Sequence, residues 1–371
     1  MNDNQIQKKA NVPTLRFPEF SGEWERKTLG EDCEINMCKR IFASQTSDTG
    51  DVPFYKIGTI GGKADAFISQ ALFEEYRDRY NFPQKGDVLI SCAGTVGKTV
   101  VYDGQPAYFQ DSNIVWVSNP KQLYINSFLR YILSRVDWRK LNTTTIIRIY
   151  NDNLRELAVN FPSVKEQEKI VGLLSLIDEL IAIQSKIIER YQSLIRALAL
   201  KLTSRLNETK PLSDLVQYTS STLKESDAQE VGDVPVYGAS GVCGYVDSSM
   251  SGRDTILITK DGSGVGTTRY VSGQHAFVGT LASLTAKDGT FLTYVYFALM
   301  NFNFTAYKTG LAIPHIYFKD YGKAEIPCPA YEEQVRIATG LMKMEEKLGI
   351  ENSMLNNLLQ QKNILLKQLF I

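Results

Sequence analysis

Two glycine-rich turns are where the residue types of this chain come nearest to a reactive site. Gly94-Thr95-Val96-Gly97-Lys98-Thr99 reads like the end of a phosphate loop, in which lysine and a hydroxyl would hold a nucleoside triphosphate and its magnesium. The full pattern needs glycine five positions before Gly97, where Cys92 stands. Gly262-Ser263-Gly264-Val265-Gly266 resembles a dinucleotide or adenosylmethionine loop, which has to open a helix so that the helix N-terminus meets the ligand. The stretch from Thr267 to Val278 alternates like a strand instead. Hairpin turns that require positive φ therefore explain both stretches better. Such turns are also suited to recognition. Thr95, Lys98 and Thr99 in one, and Lys260, Ser263, Thr267 and Arg269 in the other, are hydroxyls and bases able to reach base edges or phosphates. Ordinary solvated turns have the same make-up.

A third candidate is the pair of segments Thr143-Thr144-Thr145-Ile146-Ile147-Arg148-Ile149-Tyr150-Asn151 and Gly310-Leu311-Ala312-Ile313-Pro314-His315-Ile316-Tyr317-Phe318. Their alignment sets His315 opposite Arg148 and adds Asn151 as a candidate nucleic-acid contact. A lone histidine is most often structural, but equivalence to an arginine raises the case for recognition. Chemistry beyond binding finds little support. The histidines are His275 and His315 alone, and the five cysteines (Cys33, Cys38, Cys92, Cys243, Cys328) form no CxxC pair, which fits a reduced compartment and argues against a metal site. No Ser/His/Asp set is evident, and the Asp/Asn-Pro-Pro-aromatic motif of amino-methyltransferases is absent. The expectation is a chain without catalysis or cofactor of its own. Lys+Arg and Asp+Glu number 41 each, so the net charge is zero, whereas freestanding nucleic-acid binders are often basic. Neutrality points either away from DNA or toward a reader that draws affinity from partners. No apolar run approaches the roughly 20 residues of a membrane span, and Met1 to Asn11 lacks a signal-peptide core, so a cytoplasmic chain with a flexible arm is expected.

The elements that must position these turns are arranged as a repeat. Gly50-Asp51-Val52-Pro53-Phe54-Tyr55 matches Gly232-Asp233-Val234-Pro235-Val236-Tyr237, and Asp87 to Ser91 matches Asp254 to Thr259. Val96-Gly97 and Gly104 to Ala107 answer Val265-Gly266 and Gly273 to Ala276, all 169 positions on. Each half then closes on the same helix start: Pro162-Ser163-Val164-Lys165-Glu166-Gln167 returns as Pro329-Ala330-Tyr331-Glu332-Glu333-Gln334. Ser163 and Glu166 suggest a capping box. From there Ile170, Leu174, Ile177, Ile181, Gln184, Ile188, Tyr191, Ile195, Leu198 and Leu202 keep a four-three spacing. The second copy repeats it 167 positions on: Ile337, Leu341, Met344, Leu348, Glu351, Leu355, Leu358, Lys362, Leu365 and Leu369. A helix of about 40 residues spans about 60 Å, and the link near Asn207 to Lys210 is short. The second helix must then run back along the first as an antiparallel coiled coil. Gln184 and Glu351 would meet as a polar register layer, or each reach water. Lys362 would leave the outer end to fray or to face another protein.

The predicted architecture is therefore α+β: two β-rich domains with pseudo-two-fold internal repetition, separated by two long helices packed as an antiparallel coiled coil. The expected boundaries are an arm over 1–11, domains over 12–162 and 208–329, and helices over 163–207 and 330–371.

With these features in view, the chain resembles the specificity subunits of type I restriction-modification systems. The resemblance rests on Leu15-Arg16-Phe17-Pro18-Glu19-Phe20 with Trp24 and Leu29, on both domain hairpins, and on both Pro-x-x-x-Glu-Gln-x-x-Ile helix starts. The second half lacks the Arg16-to-Trp24 opening and has Ala330 where Ser163 stands. The resemblance implies two target recognition domains, each reading one half of a split sequence in double-stranded DNA. It further implies helices that set the spacing between the halves and dock two modification (methyltransferase) subunits. A restriction (motor-nuclease) subunit would complete the complex, and those partners, not this chain, would use S-adenosylmethionine, ATP and Mg. The alternatives are a coiled-coil protein-interaction scaffold without DNA specificity, an enzyme acting alone, and an allele that assembles without reading a useful sequence.

Overall fold

The computed structural model of the chain describes residues 11–141, 147–204, 208–310 and 313–371. Residues 1–10 of the arm expected over 1–11, Thr143 to Ile146, Asn207, and Leu311 with Ala312 lie outside the described residues. The chain forms two compact units, Met1–Ala182 with Asn356–Ile371, and Ile183–Leu355. Each holds one β domain and part of both long helices.

In the first unit a four-stranded antiparallel sheet runs in the order Glu34–Met37, Ile114–Ser118, Val88–Ser91, Thr99–Val101. A three-stranded sheet follows, in which Val52–Tyr55 pairs antiparallel with Phe67–Ile68 and parallel with Tyr108–Phe109. The second unit repeats both. Its four-stranded sheet has the order Val216–Ser220, Leu281–Ala286, Thr255–Thr259, Thr268–Val271. Its three-stranded sheet sets Val234–Gly238 between Gly241–Val246 and Ala276–Phe277, again antiparallel and then parallel. The central strands are largely apolar and buried because both faces are covered. Side chains alternate across a strand, so Val88, Ile90, Val115 and Val117 enter one core while Leu89, Ile114 and Trp116 enter another. Likewise Ile256, Ile258, Ala282 and Leu284 face one core of the second unit, and Leu257 and Leu281 the other.

The long helices run over Val164–Thr203 and Tyr331–Leu369. In the first unit Ile170 and Leu174, near the start of one, share a core with Leu365, Leu366 and Leu369, near the end of the other. In the second unit Ile195 and Ala199, near the end of the first helix, share a core with Ile337, Ala338 and Leu341 at the start of the second. The two helices thus pack antiparallel. Ile181, Met344, Leu348 and Leu355 in the apolar stripe are half-buried, and Ile177 and Ile188 are buried. Buried Gln184 donates from Nε2 to Glu351 Oε2 at 2.6 Å and to the Glu351 carbonyl at 3.0 Å. Glu351 also takes Lys347 at 3.0 Å.

Two local expectations give way to tertiary partners. Lys362 does not open the seam outward: its Nζ lies 2.5 Å from Asp178 Oδ1, and Arg130 and the Tyr131 hydroxyl bind the same carboxylate at 2.8 Å. Burial would raise the Asp178 carboxyl, but these three donors together lower it. Glu345, its counterpart in the repeat, has the Tyr296 hydroxyl at 3.2 Å, and burial pushes its carboxyl up. Nor do Ser163 and Glu166 close a capping box. The Glu166 backbone N–H donates to the Ser163 carbonyl at 3.0 Å, while its buried carboxylate receives Arg16 Nε at 2.8 Å, Arg16 Nη2 at 2.7 Å and Trp24 Nε1 at 3.3 Å.

The neighbouring glutamine explains the repeated helix start. Gln167 accepts the Ile125 N–H at 2.8 Å and donates to the Pro162 and Leu123 carbonyls, each at 3.0 Å. Gln334 accepts the Phe291 N–H at 2.9 Å and donates to the Pro329 carbonyl at 2.9 Å. Each thereby satisfies a donor at the head of a domain helix, Asn126–Arg135 or Leu292–Leu299, and fixes the long helix to its own domain.

Candidate nucleic-acid interface

The first glycine turn joins Val88–Ser91 to Thr99–Val101. Ser91 organises it, its Oγ accepting the Lys98 N–H at 3.1 Å and donating to the Thr95 carbonyl, while its own carbonyl accepts the Gly97 N–H at 2.8 Å. Gly97 has φ +84°, and a Cβ there would collide with Trp138. Thr95 and Lys98 are left exposed at the tip, and Thr99 is half-buried at the start of the strand. The second turn is built the same way. The Gly266 N–H donates to the Thr259 carbonyl at 2.9 Å, its φ is +89°, and Phe304 occupies the place of Trp138. Ser263 and Thr267 are exposed there. Both turns run into strands, so no helix N-terminus is offered to a phosphate.

The segments that precede the long helices dock beside these turns. The Ile149 N–H donates to the Cys92 carbonyl at 2.9 Å and the Ile316 N–H to the Lys260 carbonyl at 3.0 Å, so Arg148 and His315 occupy equivalent places. Their side chains are used differently. Arg148 Nη2 reaches the Ser112 carbonyl and hydroxyl at 3.4 Å each, and the guanidinium lies 5.9 Å from the Tyr150 ring centroid. His315 exchanges both backbone hydrogen bonds with Thr309 at 2.9 Å, its Nδ1 is 3.1 Å from the Ile313 carbonyl, and its ring meets Tyr317 edge-on.

The candidates do not form one patch per unit. Lys260, Ser263, Thr267 and His315 gather at one turn, where the Gly262 N–H also donates to the Pro314 carbonyl at 2.9 Å. Arg269 instead sits on the strand Thr268–Val271, over the Tyr237 ring at 5.7 Å and beside Gly241. Asn151 opens the short helix Asn151–Arg155, separated from Arg148 by Ile149 and Tyr150.

Each unit also has a groove, which in the second unit takes in the candidate Ser263 and in the first unit none of the candidates read from the sequence. It opens between a 3-10 turn, the end of the central strand of the three-stranded sheet, and the loop leaving the parallel strand. Arg40, Lys56, Gln110, Asp111 and Asn113 line it in the first unit. Glu225, Ser240, Asp261, Ser263 and Thr280 line it in the second. These residues come from separate segments with no common motif, so only the fold brings them together.

The electrostatics are local. Lys260 pairs with Asp261 at 2.5 Å, Arg40 with Asp111 at 2.6 Å and Lys56 with Asp65 at 2.9 Å, whereas Lys98 makes no ion pair among the described residues. Burial pushes the Cys92 thiol up to about 12, which leaves it unreactive beside the first turn. No group of three or more His, Cys, Asp or Glu able to hold a metal occurs among the described residues. No helix among them is long and apolar enough to cross a membrane. The arrangement supplies hydrogen-bond donors and acceptors on rigid turns, suited to binding.

A family model, the type I restriction modification DNA specificity domain, matches the chain twice, over residues 21–191 and 205–361. A protein described as a type I restriction enzyme specificity subunit from Haemophilus influenzae is 48% identical over 152 residues, 41% of this chain and 40% of that one. The MjaX specificity subunit of Methanocaldococcus jannaschii is 23% identical over 198 residues, 50% of this chain and 46% of that protein. The chain thus spans less than half the length of these curated relatives. Among solved structures, the S subunit of a type I restriction-modification system from M. genitalium superposes with a TM-score of 0.63 at 20% identity, covering 97% of this chain and 99% of that one. A chain from a study of complex assembly and conformational transition in the type I system gives 0.51 at 14% identity, covering 94% and 97%. At these identities the superpositions speak to fold alone.

Proposed function

The chain belongs to the type I restriction-modification DNA specificity family, and from that premise we propose that it is the sequence-recognition subunit of such a system. In this reading it has no catalysis of its own. Each β domain reads one half of a bipartite site in double-stranded DNA, and the long helices dock two modification subunits. Those subunits supply S-adenosylmethionine and the methyl transfer, and a restriction subunit supplies ATP- and Mg-dependent motor and nuclease activity. The observation that carries the reading is the duplication itself: one sheet order and one turn geometry appear twice, with different side chains displayed on them. A frame kept constant while its displayed residues change is what two different half-sites require.

Partner docking is supported by the surface of the helices. Leu176 and Leu180 in the first unit, and Ile183, Leu194, Ile350 and Met354 in the second, are exposed apolar residues outside the packed seam. Leu176 with Leu180 on the first helix, and Ile350 with Met354 on the second, stand four residues apart, each an apolar face of the kind that another helix covers. Partners that also contact phosphate would account for the neutral charge of this chain.

The test is binding of the chain, purified together with its modification subunits, to a pool of random duplexes. The expected result is enrichment of one bipartite sequence, at least ~10³-fold above non-specific DNA, with affinity falling as salt rises. Equal binding to all duplexes, with the protein partners still assembled, would identify a scaffold instead.

A further inference from the structure

The two grooves occupy the same place in the repeat and differ in chemistry. The groove of the first unit, about 330 Å³, presents a guanidinium, an ammonium, two carboxamides and the Asp111 carboxylate. That of the second unit, about 420 Å³, presents Glu225 and Asp261 with hydroxyls; its nearest cations are Lys260, paired with Asp261 at 2.5 Å, and Arg269, drawn over the Tyr237 ring beside Gly241. A groove used only for the phosphate backbone would need positive charge in both units, because both halves of a duplex carry the same phosphates. Base edges differ between half-sites, and a groove that reads them must differ as well.

From this contrast we propose that the groove of the first unit reads base edges in the major groove and that Arg40 is its specificity-determining residue, donating to the O6 and N7 of a guanine. This rests on the function proposed above. Arginine contacts guanine bidentately when its terminal nitrogens are free and its plane is fixed. Here Asp111 binds Arg40 through Nε, at 2.6 Å, so the ion pair fixes the plane and leaves the terminal nitrogens for the base. Asp111 is itself held: its carboxylate-bearing side chain is 17% exposed against 60% for Arg40, and the adjacent Gln110 is pinned by its N–H to the Tyr55 carbonyl at 2.9 Å and by its Oε1 accepting the Ile57 N–H at 3.3 Å. On the other side the Tyr108 hydroxyl donates to the Lys39 carbonyl at 3.1 Å, and Ile41 is buried. An exposed guanidinium on a rigid base needs little ordering when it meets DNA. Lys56, the other cation of the groove, is engaged by Asp65.

The experiment expresses the chain with its modification subunits in a host free of other adenine methylation and reads the methylated motif for the wild type, Arg40→Ala, Arg40→Lys and Asp111→Ala. Binding of the purified complexes to duplexes carrying 7-deazaguanine, which lacks the N7 acceptor, is measured at each guanine of the site. The expected result is that Arg40→Ala relaxes a single guanine position in one half, with about 10- to 100-fold lost discrimination there, and leaves the other half unchanged. Arg40→Lys and Asp111→Ala should relax the same position, and 7-deazaguanine there should weaken the wild type but not Arg40→Ala. An unchanged motif in Arg40→Ala, full specificity in Arg40→Lys, or a loss equal on all sequences would overturn the assignment. A wild-type complex that marks no bipartite motif would overturn the proposed function itself, and this assignment with it.

Discussion

Replacing residues 12–162 with the corresponding segment of a related chain should change one half of the recognised sequence and leave the other half intact. The first β domain packs two cores, one on each face of its four-stranded sheet, with residues of the long helices completing one of them, so its displayed turns can change without disturbing those of the second unit. The junction sets the condition for success. The incoming segment must present an arginine and a tryptophan to Glu166, and backbone groups at the positions of Ile125 and Leu123 to Gln167. It must also pack an aromatic pair on Phe370, whose ring lies 6.4 Å from Trp24 and 5.1 Å from Phe128. Sequencing of methylated sites reads the result directly. A change in both halves would contradict independent reading by the two domains.

Substituting Arg16 with alanine should destabilise the first unit by about 3 kcal/mol, the low end of what stranding one partner of a buried ion pair costs. Glu166 is 2% exposed in its side chain and Arg16 is 14% exposed, so removal of the guanidinium leaves a carboxylate in the interior with Trp24 Nε1 as its remaining side-chain donor. Arg16→Lys should fall between, because an ammonium cannot reproduce the two-point contact. The second unit provides the control. Glu333 stands where Glu166 does, but no opening segment covers it. It pairs with exposed Arg336 on its own helix, a solvent-screened pair, and Glu333→Ala should leave the unfolding transition essentially where it is. The three tryptophans of the chain (Trp24, Trp116 and Trp138) all lie in the first unit. Urea unfolding followed by their emission therefore reports Arg16→Ala, and circular dichroism reports Glu333→Ala. Equal effects of the two substitutions would contradict the assignment of Glu166 as a buried clasp.

These contrasts show what was legible in the sequence. The helical stripe and its repeat were readable because periodicity is local information and each position answers to the same spacing. The strands were readable for the same reason, and the glycine turns because positive φ restricts residue choice. The partner of Glu166 is not legible, because Ser163 lies three residues away and Arg16 lies 150 residues away, so the local pattern points to the wrong one. Lys362 looked like a breach in the seam because Asp178 faces it only once the helices are packed. Arg269 follows the turn closely in sequence, yet the strand it stands on carries its side chain to the Tyr237 ring and Gly241. The groove residues Arg40, Gln110 and Asp111 had no sequence signal, since three separate segments supply them.

Sequence recognition by this chain is measured by a genome-wide map of adenine methylation in cells carrying the intact system, compared with cells lacking this chain. The expected result is that one bipartite motif, methylated throughout the genome in the first, is unmethylated in the second, with methylation restored when the chain is supplied again. Methylation of the same motif persisting without the chain would show that the sequence is read elsewhere.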